Sequence, residues 1–329
     1  MTPNRGKRPP SDRALRIAVR VAVGVLVLGS VAFGTTYYFG QRTDGGPTLV
    51  QRQVSAAEQQ VRAKPNNLSA RLALAQAYQA AKRPGDAVSQ YDEILKAVPD
   101  SRAALLGKAS VLLGKDDLSG ASALYRKVTG MSVKGEFAGA DPQLQEAHYF
   151  LALIDSKQGK AQEAITEAQA SLKIEPTDSD AWYVLGSAQI LAGQAQQGVI
   201  SLRRALMFVP TGWCDPYVEL GKAFQKLNKP EEVEYAGAMV DFCQKRTGQA
   251  QQRLQKLVSG PAAVDAELGL GTIAETGGRT DEAISWYRKA ITADPTNPTA
   301  IQTLSRLGIA PTTPAGQAAG AAGSSVTGS

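Results

Sequence analysis

The sequence predicts an all-α chain in which an N-terminal transmembrane helix precedes a solenoid of about six helix-pair repeats. Three observations carry this. Residues 21–39, VAVGVLVLGSVAFGTTYYF, hold no charged side chain. Similar segments recur thirty-four residues apart. No strand pattern is evident anywhere.

The elements follow in chain order. Residues 1–20 carry Arg5, Lys7, Arg8, Arg13, Arg16 and Arg20 against Asp12 alone. The formal net charge of +6 therefore sits mostly in this tail. The remaining chain is close to neutral and shows no basic face, so nucleic acid is not an expected partner. Residues 21–39 are long enough to cross a bilayer core as a helix. Tyr37 and Tyr38 stand at the far end, where amphipathic rings favour the headgroup region. The basic tail precedes the span, which puts it in the cytoplasm and everything after residue 40 outside. A cleaved signal peptide is the alternative, with Ser30 and Ala32 as the small residues of a cleavage site. Both readings export the body. Residues 41–67 form a linker and a lead-in helix, the helix over 51–64.

Next comes the repeat. ARLALAQAYQAAKRPGDAVSQYDEILKAVP ends at Pro99, AHYFLALIDSKQGKAQEAITEAQASLKIEP at Pro176, AWYVLGSAQILAGQAQQGVISLRRALMFVP at Pro210 and AELGLGTIAETGGRTDEAISWYRKAITADP at Pro295. Pro65 and Pro142 stand thirty-four residues before Pro99 and Pro176. Each unit has two apolar helical patterns around a turn at Pro84-Gly85, Gly159, Gly193 or Gly277-Gly278. The closing proline ends the second helix, since its ring and missing N–H cannot continue one. Ala87, Ala121, Ala164, Gly198 and Ala283 share one place in the second helix, where a small side chain lets helices approach. Tyr91, Tyr125, Ala168, Leu202 and Tyr287 follow four residues later on the same face.

The period, the Trp182…Leu185-Gly186 run, the Ala283…Tyr287 pair and the terminal proline resemble the tetratricopeptide repeat (TPR) family. Repeats are assigned to 68–101, 102–135, 145–178, 179–212 and 264–297, with a degenerate one from Cys214. The resemblance implies a right-handed superhelix of helical hairpins whose concave face is lined by first helices. An insertion near residues 130–142 and an extra helix near 248–258 depart from the period. The latter shares GQAQQ with residues 193–197 and reads as half a repeat. Residues 298–308 suit a capping helix, so the solenoid runs over 68–308. Residues 309–329 carry no charge and little to bury, and are expected to be disordered.

Nothing reactive emerges. Cys214 and Cys243 are not in metal or redox spacing. Cys214 should begin a helix over 214–228 and Cys243 should end one over 231–246, antiparallel about Asn228-Lys229-Pro230. The sulfurs then meet, and an exported domain permits a disulfide. The alternative is two buried thiols packing as small hydrophobes. His148 occupies the place of Trp182 one repeat earlier, a packing position. No catalytic constellation, metal site or cofactor is implied, so the chain is not expected to be an enzyme.

In the TPR family, ligands often lie along the concave face. Counting within repeats places Leu72, Gln76, Leu106, Ser110, Tyr149, Leu153, Tyr183, Ser187, Ile190, Val218 and Lys222 toward it. The partner-binding set is Tyr149, Leu153, Tyr183, Ser187, Ile190, Val218 and Lys222, with aromatic anchors at its centre. Members that hold a chaperone's C-terminal carboxylate use Lys and Asn where this chain has Leu72 and Gln76, so no such clamp is expected. The function expected is a non-catalytic scaffold or accessory subunit of a membrane protein complex, binding other proteins outside the cytoplasm. The alternative is a biogenesis factor or chaperone serving Sec translocation or c-type cytochrome assembly.

Overall fold

The computed structural model describes residues 48–131, 138–208 and 212–310. Among them are fifteen α-helices, one short 3-10 turn and no strand. The expectations for the tail at 1–20, the span at 21–39, the linker to residue 47 and the chain from 311 lie outside the described residues. No described helix is long and apolar enough to cross a membrane.

The described residues fall into two compact units, divided between Arg83 and Pro84. In the first, α1 (Leu49–Ala63) packs on α2 (Leu68–Ala80). The helix expected from residue 51 begins earlier because Thr48 and Gln51 form a reciprocal capping box. Tyr78 then donates its hydroxyl to Glu58, tying the two helices at 3.0 Å.

The second unit opens with α3 (Pro84–Ala97), the second helix of the 68–101 repeat. Four hairpins follow: α4 (Arg102–Gly114) with α5 (Leu118–Thr129), α6 (Pro142–Lys157) with α7 (Ala161–Ile174), α8 (Ser179–Leu191) with α9 (Ala195–Phe208), and α10 (Asp215–Lys226) with α11 (Pro230–Cys243). The single helix α12 (Thr247–Gln255) separates them from α13 (Ala263–Thr276) and α14 (Thr280–Ala293). The cap α15 (Pro298–Arg306) closes the series.

The shared small residues do what their spacing requires. Ala121, Ala164 and Ala283 are 0% exposed, and Tyr125 and Leu202 are equally buried. A Cβ on Gly198 would stand 2.9 Å from the Gly186 carbonyl oxygen and 2.6 Å from Ile190, so α8 and α9 touch almost backbone to backbone.

Two sequence expectations about punctuation change. Pro84-Gly85 is not a turn but the start of α3, where the missing proline N–H costs no helical bond. The left-handed residue of that connection is Lys82 at φ +56°. Pro142 likewise opens α6 rather than closing a helix, with Asp141 capping the amides of Gln143 and Leu144. Pro65, Pro99, Pro176 and Pro295 behave as expected, each two residues before the N-cap of the next first helix. Of the inserted segment, Ala138–Ala140 forms the 3-10 turn and residues 132–137 lie outside the described residues.

Helix α12 is held by charge as well as by Ala250 and Leu254, both 0% exposed. Arg253 pairs with Glu234 at 2.6 Å and with Asp241, which Arg246 also engages. Burial works to raise the Asp241 carboxyl, but the two guanidiniums overcome it and hold the group below its usual value.

Candidate protein-binding face

The sequence-predicted partner residues lie on the first helices of three successive repeats. On α6, α8 and α10 they are spaced three, four and seven apart, which keeps them on one face of each helix. Tyr149 is half-buried and meets the edge of Phe150, centroids 5.0 Å apart. Burial, then the carboxylates of Asp180 and Asp178, push its hydroxyl up to about 12. Tyr183 stacks at a tilt on Trp213, 5.2 Å away, and its hydroxyl is raised by burial and by Glu219. Leu153 is half-buried and packs with Tyr149, Tyr183 and Trp182 around one core cluster. Val218 is 42% exposed, a large apolar side chain left facing solvent.

Ser187, Ile190 and Lys222 line one open hollow of about 600 Å³, with Leu191 and Lys226. Lys222 pairs with Glu219 at 2.6 Å. Lys226 donates to the Ile190 carbonyl oxygen at 2.8 Å, satisfying an acceptor near the end of α8. Two members of the predicted set are covered: the Ser187 hydroxyl is buried, and so is the whole Ile190 side chain. Ile190 is 4% exposed and belongs to the core, so it offers a floor rather than a contact. Leu106 is buried in the same way at 5%. Ser110 is half-buried on α4. Leu72 and Gln76 sit on α2 in the first unit, where Gln76 lines a shallow hollow with α1.

Two features of this face escaped the periodic reading. Trp213 lies in the connection between repeats, outside any helical register, so spacing assigns it no direction. Asp180 and Asp215 stand in the first turn of α8 and α10, and Glu146, thirty-four residues before Asp180, stands early in α6. Among the described residues, no cation pairs with Glu146 or Asp180. Burial raises both carboxyls, with Asp178 adding to the effect at Asp180.

Cys214 caps α10 through its carbonyl, which accepts from the amides of Tyr217 and Val218. Cys243 ends α11. Both are free, half-buried thiols in this structure, and Cys214 is close enough to act on the Cys243 thiol. Burial, then that contact, pushes the Cys243 thiol up to about 12. His148 lies on α6 against Glu167 of α7, with its Nδ1 at 2.6 Å from the carboxylate.

The model of the family described as tetratricopeptide repeat matches residues 72–132, 149–212 and 244–298, together more than half of the chain. Comparison with curated proteins finds no match. Several solved structures are similar. A chain of the APC/C hetero-tetramer Cut9–Hcn1 shares 15% identity at a TM-score of 0.45, over 78% of this chain and 46% of that one. This chain thus spans less than half the length of that relative. A tetratricopeptide repeat protein of Parabacteroides merdae shares 14% at 0.45, over 83% and 96%. PilW, a type IV pilus biogenesis factor, shares 16% at 0.42, over 73% and 99%.

Proposed function

Since the chain belongs to the tetratricopeptide repeat family, we propose that it is a non-catalytic protein-binding scaffold, an accessory subunit of a membrane protein complex. The observation that carries the reading is the row of half-exposed aromatic side chains on successive first helices. Tyr149 and Tyr183 lie there with Val218, and Trp213, in the connection that follows, stacks on Tyr183; the rings are covered on one side and open on the other. Rigid amphipathic rings of this kind anchor protein contacts at low entropic cost. The carboxylates beside them favour a partner segment that mixes apolar and basic residues.

Residues 21–39 anchor the chain in this proposal, with residues 1–20 cytoplasmic and the repeats outside. The support is the uncharged nineteen-residue run behind a basic tail. Anchoring confines the partner search to the membrane plane and raises local concentration. In the oxidising compartment this implies, Cys214 and Cys243 join as a disulfide.

The test is purification from native membranes in mild detergent, with identification and stoichiometry of what accompanies the chain. One or a few partners at constant ratio is the expected result. A diffuse set of exported or nascent proteins would instead make the chain a chaperone or biogenesis factor. Recovery in the soluble exported fraction, with an N-terminus near Phe33, would remove the anchor.

A further inference from the structure

In a regular repeat stack each unit touches only its neighbours. Here Arg203 on α9 reaches Asp265 on α13, sixty-two residues along the chain, at 2.5 Å. Helix α9 also touches α15. The surplus half-repeat α12 intervenes between these elements in sequence, and α13 crosses back toward α9 beyond it. The space this leaves is a cavity of about 290 Å³ bounded by α9, α10, α11, α13 and the turn into α15.

Its walls are mixed in a specific way. Leu206, Met207, Met239 and Leu268 supply apolar surface. Tyr217 and Tyr235 bring two rings set edge to face, 5% and 7% exposed. Neither phenol hydroxyl has a hydrogen-bond partner among the described residues. Asp265 accepts from Arg203 through Oδ2, while its Oδ1 has no donor. None of these three oxygens is a fully buried atom, so a ligand in the cavity can reach them and bond them. The charges at the cavity are already engaged: Arg203 with Asp265, Asp294 with Thr296 and Asn297, and Arg204 over the Trp182 ring at 4.6 Å. Arg203 already neutralises Asp265, so a cation bonding that carboxylate would gain little from its charge.

We propose that this cavity is a binding site for a small neutral aromatic molecule bearing one N–H or O–H donor, an indole or a phenol. The ring lies among the two tyrosines and the methionine sulfurs, which favour aromatic edges and faces. The donor bonds Asp265 Oδ1, and the tyrosine hydroxyls complete the polar contact. Volume and lining match small-molecule sites, which are mostly apolar with a few convergent polar groups. The site is separate from the aromatic face of α6, α8 and α10, and it stands or falls independently of that face.

The test is calorimetric titration of the full-length chain in detergent with free indole, with toluene as the ring lacking a donor. Saturable one-to-one indole binding is expected, with toluene about tenfold weaker or worse for want of the hydrogen bond. Tyr217→Phe with Tyr235→Phe keeps both rings and should weaken indole similarly. Met207→Trp fills the cavity and should abolish binding while leaving the melting temperature in place, which keeps the test decisive if the double variant folds poorly. No saturable binding, with ordered water filling the cavity, overturns the proposal. So does undiminished binding by Met207→Trp, or capture of a Trp-containing peptide but not of free indole.

Discussion

Tyr183 and Ile190 stand two turns apart on one helix, and their exposures assign them opposite roles. Tyr183 is half-exposed against Trp213, so Tyr149→Ala with Tyr183→Ala should weaken partner capture from solubilised membranes while the domain stays folded, with a modestly lower circular dichroism melt for the lost packing. Unchanged capture would remove the proposed face. Ile190 is a core residue at 4% exposure, so Ile190→Ala should cost about 2–5 kcal/mol in urea unfolding. Asp241 adds a pH dependence. Its folded carboxyl is held below the usual value by Arg246 and Arg253. The unfolded chain therefore takes up the proton first as pH falls. The stabilisation is present above the unfolded carboxyl value and is lost as pH drops through the lower folded one. Asp241→Asn should cost about 3 kcal/mol at pH 7, the low end for a buried ion pair because both guanidiniums reach solvent. Its stability curve should then lie closer to wild type in acid. A constant difference from neutral to acid pH would contradict the linkage.

At the scale of elements, the helices were legible because each carries its own boundary signals. Asn67, Asp178 and Asn297 cap first helices from fixed places after prolines, and Gly159, Gly193 and Gly278 turn left-handed between partners. The turn at Lys82 is placed two residues late by the sequence reading, since nothing in a lysine announces a positive φ, whereas the turn at Asn228 is placed correctly. Lys245→Gly, at φ +63° between α11 and α12, should relieve strain and stabilise by about 1 kcal/mol in thermal unfolding. The reverse applies where helices touch. Gly198→Ala drives a methyl to 2.9 Å from the Gly186 carbonyl oxygen, which cannot rotate away. A loss of about 1–3 kcal/mol is expected, and an unchanged melt would mean that α8 and α9 separate easily.

Across the whole molecule, the proposed membrane and redox settings make one joint prediction. Chain recovered from native membranes without reductant should show Cys214 and Cys243 blocked to alkylation and linked in one peptide pair by mass spectrometry. Reduction should then lower stability by about 3 kcal/mol through the freed loop of the unfolded chain. Two alkylated thiols in the untreated sample would make both cysteines ordinary packing residues.

The sequence by itself determined the helix pairs, their thirty-four-residue period, the surplus helix and the cap. These rest on local spacing, capping and small-residue contacts, all written within one or two repeats. It also placed Tyr149, Tyr183 and Val218 on one face, because helical register fixes direction over a few turns. Only the tertiary structure decided that Ile190 and Leu106 are covered, that Trp213 joins Tyr183, and that Arg203 reaches Asp265 around a cavity. The first two are settled by packing between neighbouring helices, and the last depends on where the chain goes after α12. No residue spacing records that two side chains sixty-two residues apart in sequence meet again.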